Sequence, residues 1–223
     1  MKIWLASSSP RRAALLRDAG FDVAEVPPEL DDSELSSHCS ATLAPAHWAL
    51  AMAWLKAACV RSRMLERPPA PMDGILLAAD TVCDHDGSMI GKPTDRDDAR
   101  RILEAFAGRA HQVHTGVCLL DLGSGQRLLF ADSTTVTLGP RELLDLDAYL
   151  EGDDWAGKAG GYNYADRLAA GWPLACDGDP TSVMGLPMTR LRRLLGDAAT
   201  KGVWPTVVSE APARRGKSGE RTR

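Results

Sequence analysis

The segment Ser7-Ser8-Ser9-Pro10-Arg11-Arg12 sets three hydroxyls and two guanidinium groups between an apolar run and a helical one. A strand-to-helix turn of this kind aims backbone N–H groups, and the positive end of the helix, at whatever occupies it. Arginines at that end oppose the helix dipole. A bound anion would remove the conflict, and phosphate is the natural one; a capped helix with solvated arginines is the competing reading. Ala78-Ala79-Asp80-Thr81 ends a second apolar run on a carboxylate, a common place for a metal ligand or a general base, although a turn aspartate looks the same. Gly87-Ser88-Met89-Ile90-Gly91-Lys92-Pro93 has the outline of a phosphate-binding loop but not its spacing. Three residues rather than four separate the glycines, and Pro93 stands where Ser or Thr is needed. Lys92 can still meet a phosphate as a point charge, or lie on a hairpin surface.

Two further turns belong with these. Gly157-Lys158-Ala159-Gly160-Gly161-Tyr162 has the glycine density of a backbone that a ligand approaches closely, and Thr181-Ser182-Val183-Met184-Gly185-Leu186-Pro187 is a small-residue turn. Each alone reads equally as an ordinary loop. Together they offer one carboxylate, several cations and several glycine or serine turns, which suits a polyphosphate. Cleaving a phosphoanhydride needs charge neutralisation, a positioned water and usually a divalent ion on carboxylates. No Ser–His or Cys–His nucleophile signature stands out. His111 and His114 form H-x-x-H and Asp84-His85-Asp86 is a local cluster, but neither has a zinc-protease pattern; a strand end and a turn are the favoured readings. The five scattered cysteines, without C-x-x-C, fit reduced thiols.

The elements that must position these groups are legible from pattern. Ile3–Ala6 reads as a buried strand, with Ser9 as N-cap, Pro10 at the first helical position and Gly20 as the stop. Residues 21–26 read as a strand and 41–66 as a long helix ended by Pro68, Pro69 and Pro71. A third strand over 74–79 delivers Asp80 at its C-terminal end. A helix over 95–106 capped by Asp95, strands over 111–121 and 126–138, a helix over 140–151 opened by Pro140, a strand over 172–176 and a helix over 187–195 complete the chain. The βα units and the central hairpin predict an α/β fold with a mixed, twisted sheet and flanking helices.

Composition narrows the class. With 223 residues, 44% hydrophobic and 25% charged, the chain is neither collagen-like, wholly disordered nor a coiled coil. No apolar run approaches the ~20 residues of a membrane span, and the N-terminus lacks a signal peptide's apolar segment, which points to the cytoplasm. The net charge of −4 gives no sign of a nucleic-acid partner. Residues 209–223 hold five cations against Glu210 and Glu220, a net +3, so residues 1–208 sum to −7. That tail reads as disordered and basic, and 1–208 as a single α/β domain.

In order along the chain, Leu5-Ala6-Ser7-Ser8-Ser9-Pro10-Arg11-Arg12, Ala53-Trp54-Leu55-Lys56-Ala57, Ala78-Ala79-Asp80-Thr81-Val82, Gly91-Lys92-Pro93, His111-Gln112-Val113-His114-Thr115-Gly116-Val117, Lys158-Ala159-Gly160-Gly161-Tyr162 and Val183-Met184-Gly185-Leu186-Pro187 resemble the motifs of the Maf family of nucleoside triphosphate pyrophosphatases. The resemblance covers Leu5 to about Leu195. It implies a fold similar to inosine triphosphate pyrophosphatase, with two lobes around a cleft, usually as a homodimer. It also implies hydrolysis of a nucleoside triphosphate to the monophosphate and pyrophosphate with a divalent cation (Mg, Mn or Co). On this resemblance Ser7, Ser9, Arg11 and Arg12 form a phosphate cradle, joined in substrate binding by Thr81, Lys158 and Gly160. Lys56 and Lys92 neutralise the polyphosphate, and Asp80 is the catalytic carboxylate, activating water or holding the metal.

Two positions depart from the family pattern. Where D-x-D-E is usual, Glu29-Leu30-Asp31-Asp32 stands here, so Asp32 takes the metal-site role, with Glu34 as its rival. The A-G-G-Y segment resembles the subgroup acting on dTTP and UTP, but its later glutamine is Ala165, leaving Asn163 or Asp166 as substitutes if the loop shifts register. A second implied function is a non-catalytic nucleotide-binding regulator linked to cell division, as the family's septum-formation name suggests.

Overall fold

The computed structural model describes residues 1–30, 43–67 and 73–201. A seven-stranded mixed sheet runs through its centre. Strands β1 (Lys2–Ala6), β2 (Asp22–Glu25) and β3 (Ile75–His85) lie parallel in the order β2-β1-β3. Strands β5 (Ala110–Asp121), β6 (Arg127–Leu138) and β7 (Leu174–Asp177) continue the sheet antiparallel beyond β3. The short β4 (Ser88–Ile90) folds back on the end of β3. Asp86 and Gly87, both at positive φ (52° and 81°), make that turn, the backbone a two-residue hairpin requires.

Helices α1 (Pro10–Asp18), α2 (Pro45–Glu66), α3 (Arg96–Phe106), α4 (Leu146–Glu151), α5 (Tyr164–Ala169), α6 (Pro180–Val183) and α7 (Met188–Lys201) cover the sheet. The two-residue period of the strands divides the core. Ile3, Leu5, Ile75, Leu77 and Ala79 pack with α1 and α7 on one face. Trp4, Ala6, Leu76 and Ala78 pack with Ala53, Ala57 and Val60 of α2 on the other. Farther along the same long strands, Cys83, Val113, Val136 and Leu138 form a separate cluster with α3, Tyr162 and Trp172. The long strands β3, β5 and β6 therefore serve two cores, one at each end.

The site lies where the neighbours of β3 change. Pairing with β1 ends at Ala6 opposite Ala78, and pairing with β4 begins at Ile90 opposite Cys83. Between these points, among the described residues, one edge of β3 has no strand beside it. Asp80 and Thr81 fall in that gap and, by strand alternation, face opposite sides of the sheet.

The α/β class and mixed sheet expected from the sequence are observed, and several boundaries differ. Asp80 is not at the end of a strand, because β5 pairs with β3 from Ile75 to Asp84 and carries it on to His85. The helix expected over 140–151 divides into a 3₁₀ turn, Arg141–Leu143, and α4, whose N-cap Asp145 accepts from the Ala148 N–H (3.4 Å). The final helix extends to Lys201. Helix α5, capped by Asn163, the short α6 and strand β4 were not expected. The basic tail, Asp32 and Glu34 lie outside the described residues. Among those residues, no helix is long and apolar enough to cross a membrane.

Candidate active site

A cleft of about 370 Å³ opens at the gap in the β3 edge. Its first wall is the N-terminus of α1. Ser9 occupies the N-cap, as the sequence implies, but its hydroxyl bonds none of the first-turn N–H groups. Instead Ser7, only 4% exposed, accepts from the Ser9 N–H (3.1 Å) and from Arg12 Nη1 (3.2 Å). With both lone pairs used, its own hydrogen is left to donate. Pro10 at the first helical position and the absence of acidic residues in the first turn leave this helix end positive.

The second wall is α2. Its buried stripe is Trp48, Ala49, Met52, Ala53, Lys56, Ala57, Val60 and Met64, so Lys56 occupies a core position and is 8% exposed. A lysine buried there needs an anionic partner. Asp80 supplies it, with Lys56 Nζ donating to Asp80 Oδ1 at 2.7 Å. The alanines of α2 let the helix lie close to the sheet. A Cβ on Gly116 of β5 would meet the Ala49 carbonyl carbon at 2.3 Å. Because Gly116 is the register partner of Asp80, this close approach is what brings Lys56 over the carboxylate.

Arg11, Arg12, Lys56, Lys92 and Lys158 all line the cleft, and Asp80 is the one carboxylate on its described wall. Lys158 Nζ also donates to the Asp154 carbonyl. Cys83 lines the cleft too, but burial, with Asp84 adding, pushes its thiol up to about 12, which disfavours a thiolate nucleophile. Ser7, Ser9 and Thr81 complete the set of expected residues found on the wall. Gly160 is not among them. Its N–H donates to the Gly91 carbonyl (3.0 Å), and a Cβ there would meet Cys83 Sγ at 2.8 Å and Phe106 at 3.1 Å. That glycine, at φ 74°, serves packing within the protein.

A family profile described as Maf-like protein matches residues 2–198. The chain belongs to this family. It is 38% identical over 191 residues to the dTTP/UTP pyrophosphatase of Salinibacter ruber, covering 86% of this chain and 88% of that one. It is also 38% identical to the dTTP/UTP pyrophosphatase of Rhodopirellula baltica (92% and 87% covered). Its identity to the nucleoside triphosphate pyrophosphatase of Streptomyces coelicolor is 34% (89% and 91% covered).

Residues from Maf-like motifs as far apart in the chain as Ser7 and Gly185 meet in this one cleft. At the altered glutamine position, Asn163 lines the cleft but is committed to α5. Its Oδ1 accepts from the Ala165 N–H (3.1 Å) and its Nδ2 donates to Asp166 Oδ2 (2.6 Å). Asn163 is thus held as a helix cap, and Asp166 is its local partner. The H-x-x-H histidines face opposite sides of β5. His111 bonds the Tyr162 hydroxyl (2.9 Å) and stacks on Phe106 at 4.0 Å. His114 lies between Ser133 Oγ (2.8 Å) and Asp84 Oδ2 (3.4 Å); none of these three residues lines the cleft. Sequence reasoning missed the role of Thr115, whose only signal is a polar residue inside the buried run of β5.

Proposed function

We propose that this cleft hydrolyses the α–β phosphoanhydride of a nucleoside triphosphate, releasing the monophosphate and pyrophosphate. The carrying observation is the Lys56–Asp80 ion pair set among four further cations. A carboxylate fixed at the edge of a cationic cleft suits attack on a polyanion better than simple retention of one. The names of the relatives support the same reading.

The triphosphate lies against the N-terminus of α1, where the Ser7 hydroxyl and the helix end donate to phosphate oxygens. Lys56, Lys92 and the arginines offset the charge that shifts to the leaving pyrophosphate. Asp80 accepts a proton from the water that attacks the α-phosphorus, the Pα–O bridge to the β-phosphate breaks, and the bridging oxygen leaves with pyrophosphate. Lys56 fixes the orientation of the carboxylate throughout.

The donor set fits a hard divalent cation (Mg, Mn or Co), since Asp80 offers carboxylate oxygen and the substrate offers phosphate oxygens. When bound, such an ion supplies positive charge that polarises the phosphoryl groups. Asp80 would hold it, with Asp32 as its proposed second ligand. By the similarity to the relatives, dTTP and UTP are the first substrates to try. The same reading makes the protein a cytoplasmic homodimer. The stripe of His47, Leu50, Ala51 and Trp54 on α2, beside Leu129 and with the Arg127 guanidinium over the Trp54 ring, supports it as a partly apolar surface for a second copy.

The test is a pyrophosphate-release screen over common and modified triphosphates with magnesium, manganese and cobalt. Release from at least one, abolished by chelation, is expected. No release from any would leave only nucleotide binding.

A further inference from the structure

Thr115 has no exposed surface and does not line the cleft. Its hydroxyl is nonetheless the centre of a hydrogen-bond chain that begins there. Arg12 Nη2 donates to Thr81 Oγ1 (3.1 Å), the Thr81 and Thr115 hydroxyls lie 2.9 Å apart, and Thr115 Oγ1 donates to the Ser182 carbonyl (2.8 Å). A guanidinium can only donate and a carbonyl can only accept. The two ends therefore fix the direction of the chain, and Thr81 must donate to Thr115.

Two things follow. The single hydrogen of Thr81 is spent on Thr115, so this residue has none to give a phosphate oxygen. Its part in the cleft is to hold Arg12. In addition, the segment that carries Ser182 also carries Gly185, whose carbonyl accepts from Arg12 Nε (3.0 Å). The guanidinium is tied to this segment twice, once directly and once through both threonines. Val183 and Gly185 are themselves part of the cleft wall.

Taking the cleft as the polyphosphate site proposed above, we infer that Thr115 is a positioning residue: its hydroxyl sets the orientation of Arg12 through Thr81 and fixes the Val183–Gly185 wall through the Ser182 carbonyl. Aligned bonds of this kind reinforce one another, and a buried hydroxyl deleted from the middle strands both neighbours.

The experiment is a double-mutant cycle on pyrophosphate release. Thr115→Val keeps the shape and removes the hydroxyl; Thr115→Ser keeps the hydroxyl. Thr115→Val is expected to lower kcat/KM about tenfold, mainly through KM, and Thr115→Ser to stay within about twofold of wild type. In a Thr81→Val background the relay's branch to Arg12 is already cut and only the bond to the Ser182 carbonyl remains, so adding Thr115→Val should cost clearly less than it does in the wild type. Should Thr115→Val fail to fold, Thr115→Cys replaces it, with a smaller loss that still shrinks in the Thr81→Val background. Affinity for inorganic tripolyphosphate, measured by calorimetry, must follow the same pattern. It reads the relay even if the wild type proves unable to hydrolyse any triphosphate, an outcome that strikes the proposed function instead. Wild-type behaviour of Thr115→Val, or equal losses in both backgrounds, overturns the inference.

Discussion

Asp80 sits directly across the β3–β5 ladder from Gly116, and a Cβ on Gly116 would lie 2.3 Å from backbone atoms of Ala49 in α2. The glycine has no bond to the carboxylate. It lets α2 come close enough for Lys56, two turns further on, to reach Asp80. Gly116→Ala should destabilise the protein by about 3 kcal/mol, in the range of overpacked cores, and should reduce turnover in the fraction that stays folded. Thermal unfolding and pyrophosphate release on the same sample check both. A melting midpoint equal to wild type would mean that α2 tolerates the displacement.

Asp80→Asn keeps the size and one hydrogen-bond acceptor while removing the charge. Pyrophosphate release should fall by about a thousandfold, within the usual range for a lost proton acceptor, and the charge partner of Lys56 is lost with it. Circular dichroism must show a folded protein. Near-normal turnover would remove Asp80 from the chemical step.

Lys92 is exposed at the cleft mouth, in the turn after β4. Lys92→Ala should reduce both kcat and polyphosphate affinity by about tenfold, the worth of one well-placed charge. The difference from wild type should shrink at high salt because exposed charges are screened. An unchanged rate and affinity at low salt would return Lys92 to the role of a surface turn residue.

Burial lowers the His111 pKa to about 4, with His85 contributing, and burial also lowers His114 against the opposing pull of Asp84. The folded protein then binds these protons more weakly than the unfolded chain, whose histidines titrate near 6.5. The contribution of these histidines is full above that value, falls as pH drops from about 6.5 to about 4, and is lost below, with His111 alone accounting for about 3 kcal/mol. Urea unfolding at pH 7, 5.5 and 4.5 measures the slope. His111→Gln, which removes the titrating group, should flatten most of it; an unchanged slope would place the acid sensitivity elsewhere.

Much of this architecture could be read in advance because each element carries its own local signal. Pro10 and Gly20 bracket α1, and Gly20 closes it with paired bonds from its own N–H to Arg17 and from Phe21 to Leu16. Lys56 is legible through the resemblance of Ala53-Trp54-Leu55-Lys56-Ala57 to a family motif, and the structure puts it on the buried stripe of α2. Least legible is what a distant partner decides. Asp80 looked like a strand end because its polarity breaks an apolar run, and only β5, thirty residues on, extends the strand. Gly160 looked like a ligand contact because its crowding partners, Cys83 and Phe106, are remote in sequence. Thr115 carries no local mark of its task, since its two partners come from β3 and from α6.

The alternation along β3 has an evolutionary consequence. Asp80 and Lys56 belong to the α2 face, whereas Thr81, Arg12 and Cys83 belong to the α1 and α3 side. One step of backbone separates them, but the layers that support them are different. Substitutions in α1, α3 or the turn at Gly185 can reshape what the cleft grips without moving the ion pair at Asp80. A lineage built on this sheet can therefore vary one side of the cleft while the Lys56–Asp80 ion pair stays fixed, and the two traits need not be inherited together.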